Sequence, residues 1–353
     1  MQRKNFLKTV SAGAALAALN PLSVFADKKF IGGINNAKLI KPERLKPGDL
    51  IGLISPGSYI NEDELNESIK NLELLGFKTV CSKNILARDG YLAGTDKQRA
   101  SDLDEMFRRK DVKGIVCARG GYGCTRILPM IDYDAIKKNP KVLVGYSDVT
   151  ALLFGIYKET HLVCFHGPVG ISTFNEFSVD YFKEVLIDPC GKLTLYNAQE
   201  DNNDELYKPV TIRGGKAKGK LVGGNLSLVV SVIGTPYDVD TENKIVFIEE
   251  VDEEPYRVDR MITQMIEAGK FDKAAGIALG VFSGCKTKSK QLDTGYSFST
   301  LEVLFDRLFP LNIPVVYGMS FGHIVNKFTL PFGIEVELDS LEQTITLLEP
   351  AVS

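Results

Sequence analysis

The chain has 353 residues, 25% of them charged, and carries a formal net charge of −3 at pH 7. This length is enough for two ordinary domains with complete hydrophobic cores. Because no basic cluster is interleaved with aromatic residues, the composition argues against nucleic acid as a partner.

The first 26 residues predict a secretory signal that is not part of the folded protein. A cationic start is followed by a short Ala-rich apolar run at residues 9–20, and Val24 and Ala26 suit the −3 and −1 positions of a cleavage site. The run is too short for a stable span, so we expect no stable membrane insertion after cleavage. The start also resembles a twin-arginine signal with Lys4 in place of the second Arg. We therefore expect export to the periplasm, with an uncleaved anchor as the alternative.

From residue 48 to residue 175, strand-like and helix-like segments alternate, which predicts an α/β domain with a parallel sheet and helices on both faces. In such a sheet, ligands bind beyond the C-terminal ends of the strands. We expect the loops at residues 56–58, 119–123, 147–148 and 166–168 to lie together at that edge. The predicted strands are at residues 49–55, 77–81, 113–118, 141–144 and 161–165, with helices at residues 61–75 and 97–109, after Cys124 and after Ser147.

The rest of the sequence divides into connecting segments and a second domain. Residues 27–47 are interpreted as a linker, and the polar segment 176–210 as a domain connection. Strand and helix patterns resume in residues 211–353, so we expect a second domain there. Its predicted strands are at residues 212–224, 244–248, 274–282, 313–316, 332–338 and 344–348. Its predicted helices are at residues 226–233, with Asn225 as the N-cap, from Pro255 onward and near residues 299–308.

The six cysteines and three histidines show no spacing that is typical of a metal site. Cys117 and Cys164 lie in apolar strand segments, which is usual for buried cysteines. We therefore expect no metal and no cofactor. One disulfide could form in an oxidising compartment, but the sequence does not indicate which cysteines would pair.

Residues 142–150 predict a sharp turn from a buried strand into a helix, with Ser147 at its tip. This pattern is typical of a nucleophile elbow, which exposes a serine hydroxyl at the edge of a sheet. Val149 replaces the second glycine of the usual G-x-S-x-G pattern. The alternative is that Ser147 or Asp148 only caps the helix.

A serine nucleophile needs a base, and the base needs a group that orients it. His323 follows a glycine in a loop before a strand, and we favour it over His166, which lies in a His-Gly-Pro loop. For the orienting acid we favour Glu249, because it directly follows the apolar strand at residues 244–248. The alternative is that the acidic run at residues 249–254 is simply solvated.

The glycine-rich loop after the third predicted strand offers candidate binding groups. The backbone N–H of Gly120 or Gly121, together with that of Asp148, could stabilise an oxyanion. Arg119 or Arg126 could bind a substrate carboxylate, with ordinary surface charge as the alternative. The glycine spacing does not match that of a nucleotide-binding loop.

Five motifs occur in order along the chain. They are residues 118–126 (ARGGYGCTR), 140–148 (PKVLVGYSD), 223–227 (GGNLS), 247–251 (FIEEV) with 255–260 (PYRVDR), and 322–323 (GH). Together they resemble the LD-carboxypeptidases (muramoyl-tetrapeptide carboxypeptidases), a family of serine peptidases that also includes the microcin C immunity proteins. The resemblance extends from about residue 40 to the C-terminus.

The resemblance implies that Ser147 is the nucleophile, Glu249 the triad acid and His323 the base. It also implies an N-terminal domain like class I glutamine amidotransferases, a β-rich α/β C-terminal domain that carries the acid and the base, and a homodimer. The implied substrate is a murein tetrapeptide, cut at the L,D bond between meso-diaminopimelate and terminal D-Ala. Typical members act in the cytoplasm on recycled murein, whereas the N-terminus of this chain predicts export.

Two other functions stay open at this point. The same triad could act on another peptide or on an aminoacyl-nucleotide conjugate, as in the immunity proteins. An aromatic residue in the loop after Gly284 would favour the conjugate, but residues 286–291 are basic and polar. The chain could also be a periplasmic peptide-binding protein without catalytic turnover.

Overall fold

A computed structural model describes residues 38–199, 204–287 and 297–353 of the chain. The predicted signal at residues 1–26 lies outside these residues, as does most of the predicted linker. Residues Lys38–Ser353 form one compact unit. Within the described ranges, no helix has the length and apolar character needed to cross a membrane.

The strands and helices fall close to the predicted positions. The strands are β1 (Leu50–Ile54), β2 (Lys78–Cys81), β3 (Val112–Cys117), β4 (Val142–Gly145), β5 (Phe165–His166), β6 (Leu193–Leu195), β7 (Val210–Arg213), β8 (Lys216–Asn225), β9 (Lys244–Val251), β10 (Gly276–Ser283), β11 (Val315–Met319), β12 (Leu330–Pro331), β13 (Glu335–Asp339) and β14 (Thr344–Leu347). The helices are α1 (Glu62–Leu74), α2 (Asp96–Arg108), α3 (Cys124–Ile127), α4 (Tyr133–Lys138), α5 (Thr150–Thr160), α6 (Glu176–Leu186), α7 (Leu226–Ser231), α8 (Pro255–Glu267) and α9 (Thr300–Leu308).

The first sheet has the strand order β12-β5-β4-β3-β1-β2. Strands β1 to β5 pair in parallel, as the alternation of strands and helices predicted. The loops that follow β1, β3, β4 and β5 therefore leave the same edge of the sheet. Capping boxes at Asn61 and Thr95 begin α1 and α2, because each side chain accepts the amide hydrogen of the third helical residue.

The second sheet has the strand order β6-β14-β13-β8-β9-β10-β11-β7. Its centre, from β8 to β11, is parallel, and the outer strands pair antiparallel. Helix α8 packs on it through Val258, Ile262 and Met265, which are fully buried and lie on one face of the helix. The resulting α/β architecture therefore contains both a mainly parallel sheet and a larger mixed sheet.

One strand of the second half crosses into the first sheet. Strand β12 pairs antiparallel with β5, so that Leu330 lies opposite His166 and Pro331 opposite Phe165. This pairing fixes the segment just after His323 against the sheet that carries Ser147. The crossing therefore brings the proposed base of the second half next to the first.

Three segments differ from their predicted structure. The strand predicted at residues 161–165 shrinks to β5, because His161 adopts a left-handed φ of 59° to end α5. The segment 176–210, expected to be a plain connection, contains α6 and β6. Asn225 was expected to cap α7, but its side-chain amide instead donates a hydrogen bond to Glu250.

Candidate active site

Ser147 occupies a strained corner between β4 and α5. All four residues of β4 are buried, and a short 3-10 turn at Ser147–Val149 leads into the helix. Ser147 has a φ of 63°, a left-handed conformation that non-glycine residues adopt at a cost and that clusters at functional sites. Gly145 allows the chain to fold back this tightly, because a Cβ there would lie 2.6 Å from Cγ1 of Val149. The chain thus makes the turn that the sequence predicted.

Glu249 and His323 form a close pair in which the glutamate is buried and the histidine is partly exposed. Oε2 of Glu249 lies 2.8 Å from Nδ1 of His323, and the glutamate side chain has no exposed surface. Glu249 lies within β9, paired beside Asn225 of β8, so it extends the strand instead of following it. Gly322 lets the loop that carries His323 approach Glu249 closely, since a Cβ at this glycine would lie 2.9 Å from Cβ of Glu249.

Tyr146 connects this pair to the serine. Its ring centroid lies 4.9 Å from that of His323, with the two rings inclined at 64°. Because Ser147 directly follows Tyr146 in the chain, the backbone of the turn lies near the loop that carries His323. Among the described residues, the structure records no hydrogen bond between Ser147 and His323; in such sites this bond often tightens only when substrate binds.

The electrostatics of the pair favour a charged glutamate and a basic histidine. Burial opposes ionisation of Glu249, but the two neighbouring histidines outweigh it and lower the pKa of this carboxyl. Burial likewise opposes protonation of His323, but the charge and the hydrogen bond of Glu249 outweigh it and raise the pKa of the imidazole. A base with a raised pKa is better able to take a proton from a serine hydroxyl.

The glycine-rich loop after β3 lies directly against the serine. A Cβ on Gly120 would lie 2.9 Å from Cβ of Ser147 and 3.2 Å from the amide nitrogen of Asp148. Gly121 has a φ of 85°, which glycine adopts without strain. The amide of Asp148 lies at the start of the turn, where backbone N–H groups have no partner within the helix. The glycine-rich loop and the turn at Asp148 therefore both bring backbone N–H groups near Ser147.

Asp148 and Ser58 hold this loop in place. The buried carboxylate of Asp148 accepts a hydrogen bond from the amide of Cys124 at 2.8 Å. The amide of Ser58 donates to the carbonyl of Gly120 at 3.0 Å, and the Ser58 hydroxyl accepts from the amide of Tyr122 at 3.1 Å. Side chains and backbone from the loops after β1, β3 and β4 thus stabilise one another.

Both arginines that were considered for carboxylate binding are paired within the chain. Arg119 contacts Glu64 at 3.1 Å, and Arg126 forms three contacts of 2.9–3.1 Å with Asp96. The buried Arg99 contacts Asp96 as well, and donates to the carbonyl of Gly123 at 2.8 Å. Asp96 and Arg99 thereby hold the end of the glycine-rich loop.

Two residues near the pair were not chosen for the triad from the sequence. His166 is buried, and its Nε2 lies 3.9 Å from Oε1 of Glu249, beyond hydrogen-bonding distance. Lys327 is also buried, and its Nζ lies 5.0 Å from the ring centroid of Tyr146. In the sequence, Lys327 is recognisable only as a charged residue four positions after His323. Nothing in that position predicts that its side chain is buried. In the described ranges, no cluster of three or more His, Cys, Asp or Glu side chains could hold a metal ion.

Comparison with known proteins shows what this chain resembles. Residues 51–167 match the LD-carboxypeptidase N-terminal domain, and residues 218–338 match the LD-carboxypeptidase C-terminal domain. A probable murein peptide carboxypeptidase of Bacillus subtilis (strain 168) is 37% identical over 319 residues, which cover 89% of this chain and 95% of the relative. The Microcin C7 self-immunity protein MccF of Escherichia coli is 31% identical over 336 residues, covering 88% of this chain and 96% of the relative.

A solved structure has the same fold. The crystal structure of muramoyltetrapeptide carboxypeptidase from Oxalobacter formigenes aligns with a TM-score of 0.71 at 30% identity. The alignment covers 84% of this chain and 97% of that one. Both sheets are therefore part of an architecture that related proteins share.

Proposed function

Since the chain belongs to the LD-carboxypeptidase family, we propose that it is a serine carboxypeptidase that releases terminal D-Ala from murein tetrapeptides. The proposed bond is the L,D bond between meso-diaminopimelate and D-Ala. The observation that carries the proposal is the close contact between the buried Glu249 and His323, near the strained corner at Ser147. The name of the Bacillus subtilis relative supports a murein peptide as the substrate class.

In the proposed mechanism, the triad forms and then hydrolyses an acyl-enzyme. His323 takes the proton of Ser147 as the hydroxyl oxygen attacks the scissile carbonyl carbon. Glu249 accepts the Nδ1 hydrogen bond, orients the imidazole and stabilises its cation. His323 next protonates the leaving amine of D-Ala. A water molecule, deprotonated by the same histidine, then hydrolyses the ester and restores Ser147.

The oxyanion of the tetrahedral intermediate needs donors that are already in place. We assign this role to the amides of Gly121 and Asp148, with Gly120 providing the close approach to Ser147. Donors fixed in advance stabilise charge without reorganising during the reaction. Asp148 is held by Cys124, so its amide has a fixed direction.

The direct experiment is incubation of the purified protein with murein tetrapeptide, followed by mass spectrometry for free D-Ala and for the tripeptide product. The Ser147→Ala variant is the control. Release of D-Ala by the wild type alone supports the proposal. An intact tetrapeptide after prolonged incubation with the wild type would contradict it.

The similarity to MccF favours a second candidate, an aminoacyl-nucleotide conjugate cut by the same triad. In the loop after Gly284, residues 288–296 lie outside the described residues, so the expectation that residues 286–291 form no aromatic platform stays a prediction. Competition between tetrapeptide and an aminoacyl sulfamoyl nucleoside in one assay distinguishes the two. Labelling of Ser147 by a fluorophosphonate separates either enzyme from a peptide-binding protein, which has no activated serine.

Export, cleavage after Ala26, the homodimer and the likeness of the first domain to class I glutamine amidotransferases remain proposals, as do the domain limits at residues 48–175 and 211–353. N-terminal sequencing of protein recovered from a secreting host tests the cleavage site, which predicts Asp27 as the first residue. Sedimentation equilibrium of the processed protein tests the dimer.

A further inference from the structure

Lys327 is held firmly in the loop that carries His323. The amide of Phe328 donates to the carbonyl of Ser320 at 2.7 Å, which closes the loop at its base. The amide of Lys327 donates to the hydroxyl of Ser178 in α6 at 3.0 Å. The residue is only 5% exposed. The backbone of Lys327 is therefore held in place, and its side chain extends from the same loop as the proposed base.

The ammonium group of Lys327 forms no ion pair with a residue in the described part of the chain. Its Nζ lies above the ring of Tyr146 and forms no hydrogen bond or ion pair with a described residue. Burial lowers the pKa of this amine to about 8, although the charge of Glu249 acts in the opposite direction. A buried charge without a partner is costly and is seldom retained without a compensating role.

The titratable and charged groups around Lys327 do not supply that partner. Glu249 lies close enough to act through charge, but its Oε2 is bound to His323. His323 is itself a base whose protonation Lys327 disfavours. Tyr146 offers only the face of its ring. A ligand anion is thus the natural counter-charge at this position.

The position of Lys327 relative to the nucleophile suits one group of a peptide substrate. Tyr146 contacts both Lys327 and His323, and Ser147 follows it in the chain. In a peptide that ends in D-Ala, only three covalent bonds separate the scissile carbonyl carbon from the terminal carboxylate, each of about 1.3–1.5 Å. The counter-charge for that carboxylate must therefore lie within one side-chain length of the triad. Arg119 and Arg126 are already paired with Glu64 and Asp96, whereas Lys327 is not.

We propose that Lys327 binds the C-terminal carboxylate of the substrate and thereby restricts the enzyme to the last residue of a peptide. This inference rests on the proposed carboxypeptidase function and adds a specificity-determining residue to it. An ammonium-carboxylate contact is a charge-assisted hydrogen bond, among the stronger polar contacts in a site shielded from water. The contact also gives the buried lysine the partner that it lacks in the free protein.

The test compares two substrates on three variants. One substrate is murein tetrapeptide with a free terminal carboxylate, and the other is the same peptide with a C-terminal amide. For the wild type we expect a large preference in kcat/KM for the free acid. Lys327→Met should reduce that preference by about 10–100-fold, the range for a lost hydrogen bond to a charged group. The decrease in kcat/KM should be larger for the free acid than for the amide substrate, and it should arise mainly through KM. Lys327→Arg, which keeps the charge, should restore part of the preference.

Lys141 offers a matched control, because it is also buried and burial lowers its pKa to about 8 as well. It lies away from the triad, where its Nζ donates to the carbonyls of Met106 at 2.9 Å and Phe107 at 2.8 Å. Lys141→Met should lower stability but keep the preference for the free acid.

The outcomes separate this inference from the function on which it rests. If the wild type cleaves neither peptide, the carboxypeptidase function fails. If the wild type cleaves the free acid but Lys327→Met slows both peptides equally, the carboxylate role of Lys327 is wrong. Should Lys327→Met fold poorly, Lys327→Gln serves the same comparison. Binding of both peptides to Ser147→Ala, measured by calorimetry, gives a readout that does not depend on turnover.

Discussion

Oε2 of Glu249 lies 2.8 Å from Nδ1 of His323, although the two residues belong to different elements, a buried strand and a loop. The glutamate side chain has no exposed surface, and its Oε2 holds the imidazole through this contact. If His323 is the base that we propose, its orientation is therefore set before substrate binds.

Replacement of Ser147 should separate catalysis from stability. Ser147→Ala should reduce kcat by about 10⁶-fold, as in other serine enzymes that lose their nucleophile. Ser147→Gly should be equally inactive but more stable than Ser147→Ala by about 1 kcal/mol, because glycine adopts the left-handed φ of 63° without strain. Urea unfolding of both variants measures the difference. Equal stability would show that the corner is not strained.

Glu249→Gln should change both the rate and its pH dependence. The amide cannot stabilise the imidazolium, so we expect kcat/KM to fall by about 10³–10⁴-fold. In the wild type the pKa of His323 is raised above its ordinary value of 6.5, and the neutral imidazole is the active form, so activity should fall as pH drops through that raised pKa. Without the charge of Glu249 this acid limb should shift to lower pH. An unshifted limb in the pH profile of the variant would mean that another group controls it.

Gly120→Ala should impair the reaction through the oxyanion donors. A Cβ would lie 3.0 Å from the carbonyl oxygen of Tyr146 and 2.9 Å from Cβ of Ser147, so the loop or the elbow must move. Loss of one well-placed donor typically costs about 10²–10³-fold in kcat. Steady-state kinetics on tetrapeptide measures this. Gly90→Ala is a control glycine in an open turn with a φ of 61° and no neighbour within 4 Å, and it should keep normal kcat.

Lys327→Met should stabilise the free protein at neutral pH. The folded-state pKa of about 8 lies below the ordinary value of 10.5, so below pH 8 the folded state bears the full cost of the buried charge. That difference corresponds to about 3 kcal/mol. Between pH 8 and 10.5 the unfolded chain binds more protons than the folded one, so the stability of the wild type rises with pH and the advantage of the variant shrinks. Denaturant unfolding of both proteins across this range checks the prediction, and an advantage that is constant with pH would contradict it.

Much of the fold could be predicted because local patterns determine it. The apolar run before Gly145 predicts a buried strand, and the polar residues 61–64 predict the start of a helix, which the structure shows as α1. The parallel arrangement followed from the alternation of these elements. Short segments were harder, since His161 ends a helix in a conformation that its neighbours do not signal.

The candidate site residues could be predicted where few residues of the chain have the chemistry that a role requires. Three histidines in the chain left few candidates for a base, and Glu249 followed an apolar run. The burial of Glu249 and Glu250 within β9 was not predictable, because an acidic run is usually solvated. The burial of Lys327 involves contacts with Tyr146 and Ser178, which are more than a hundred residues away in the chain. Such long-range contacts leave no periodic pattern in a sequence.

The crossing of β12 into the first sheet limits how this enzyme can admit its substrate. A hinged opening of the two halves would have to break the pairing of Leu330 with His166, next to the Glu249–His323 pair. A motion that kept this pairing would leave the proposed catalytic groups, Ser147 and the Glu249–His323 pair, close together. A polypeptide that lacks residues 330–331 would lose an edge strand of the sheet that carries Ser147, so we expect neither half to act as an independent fragment.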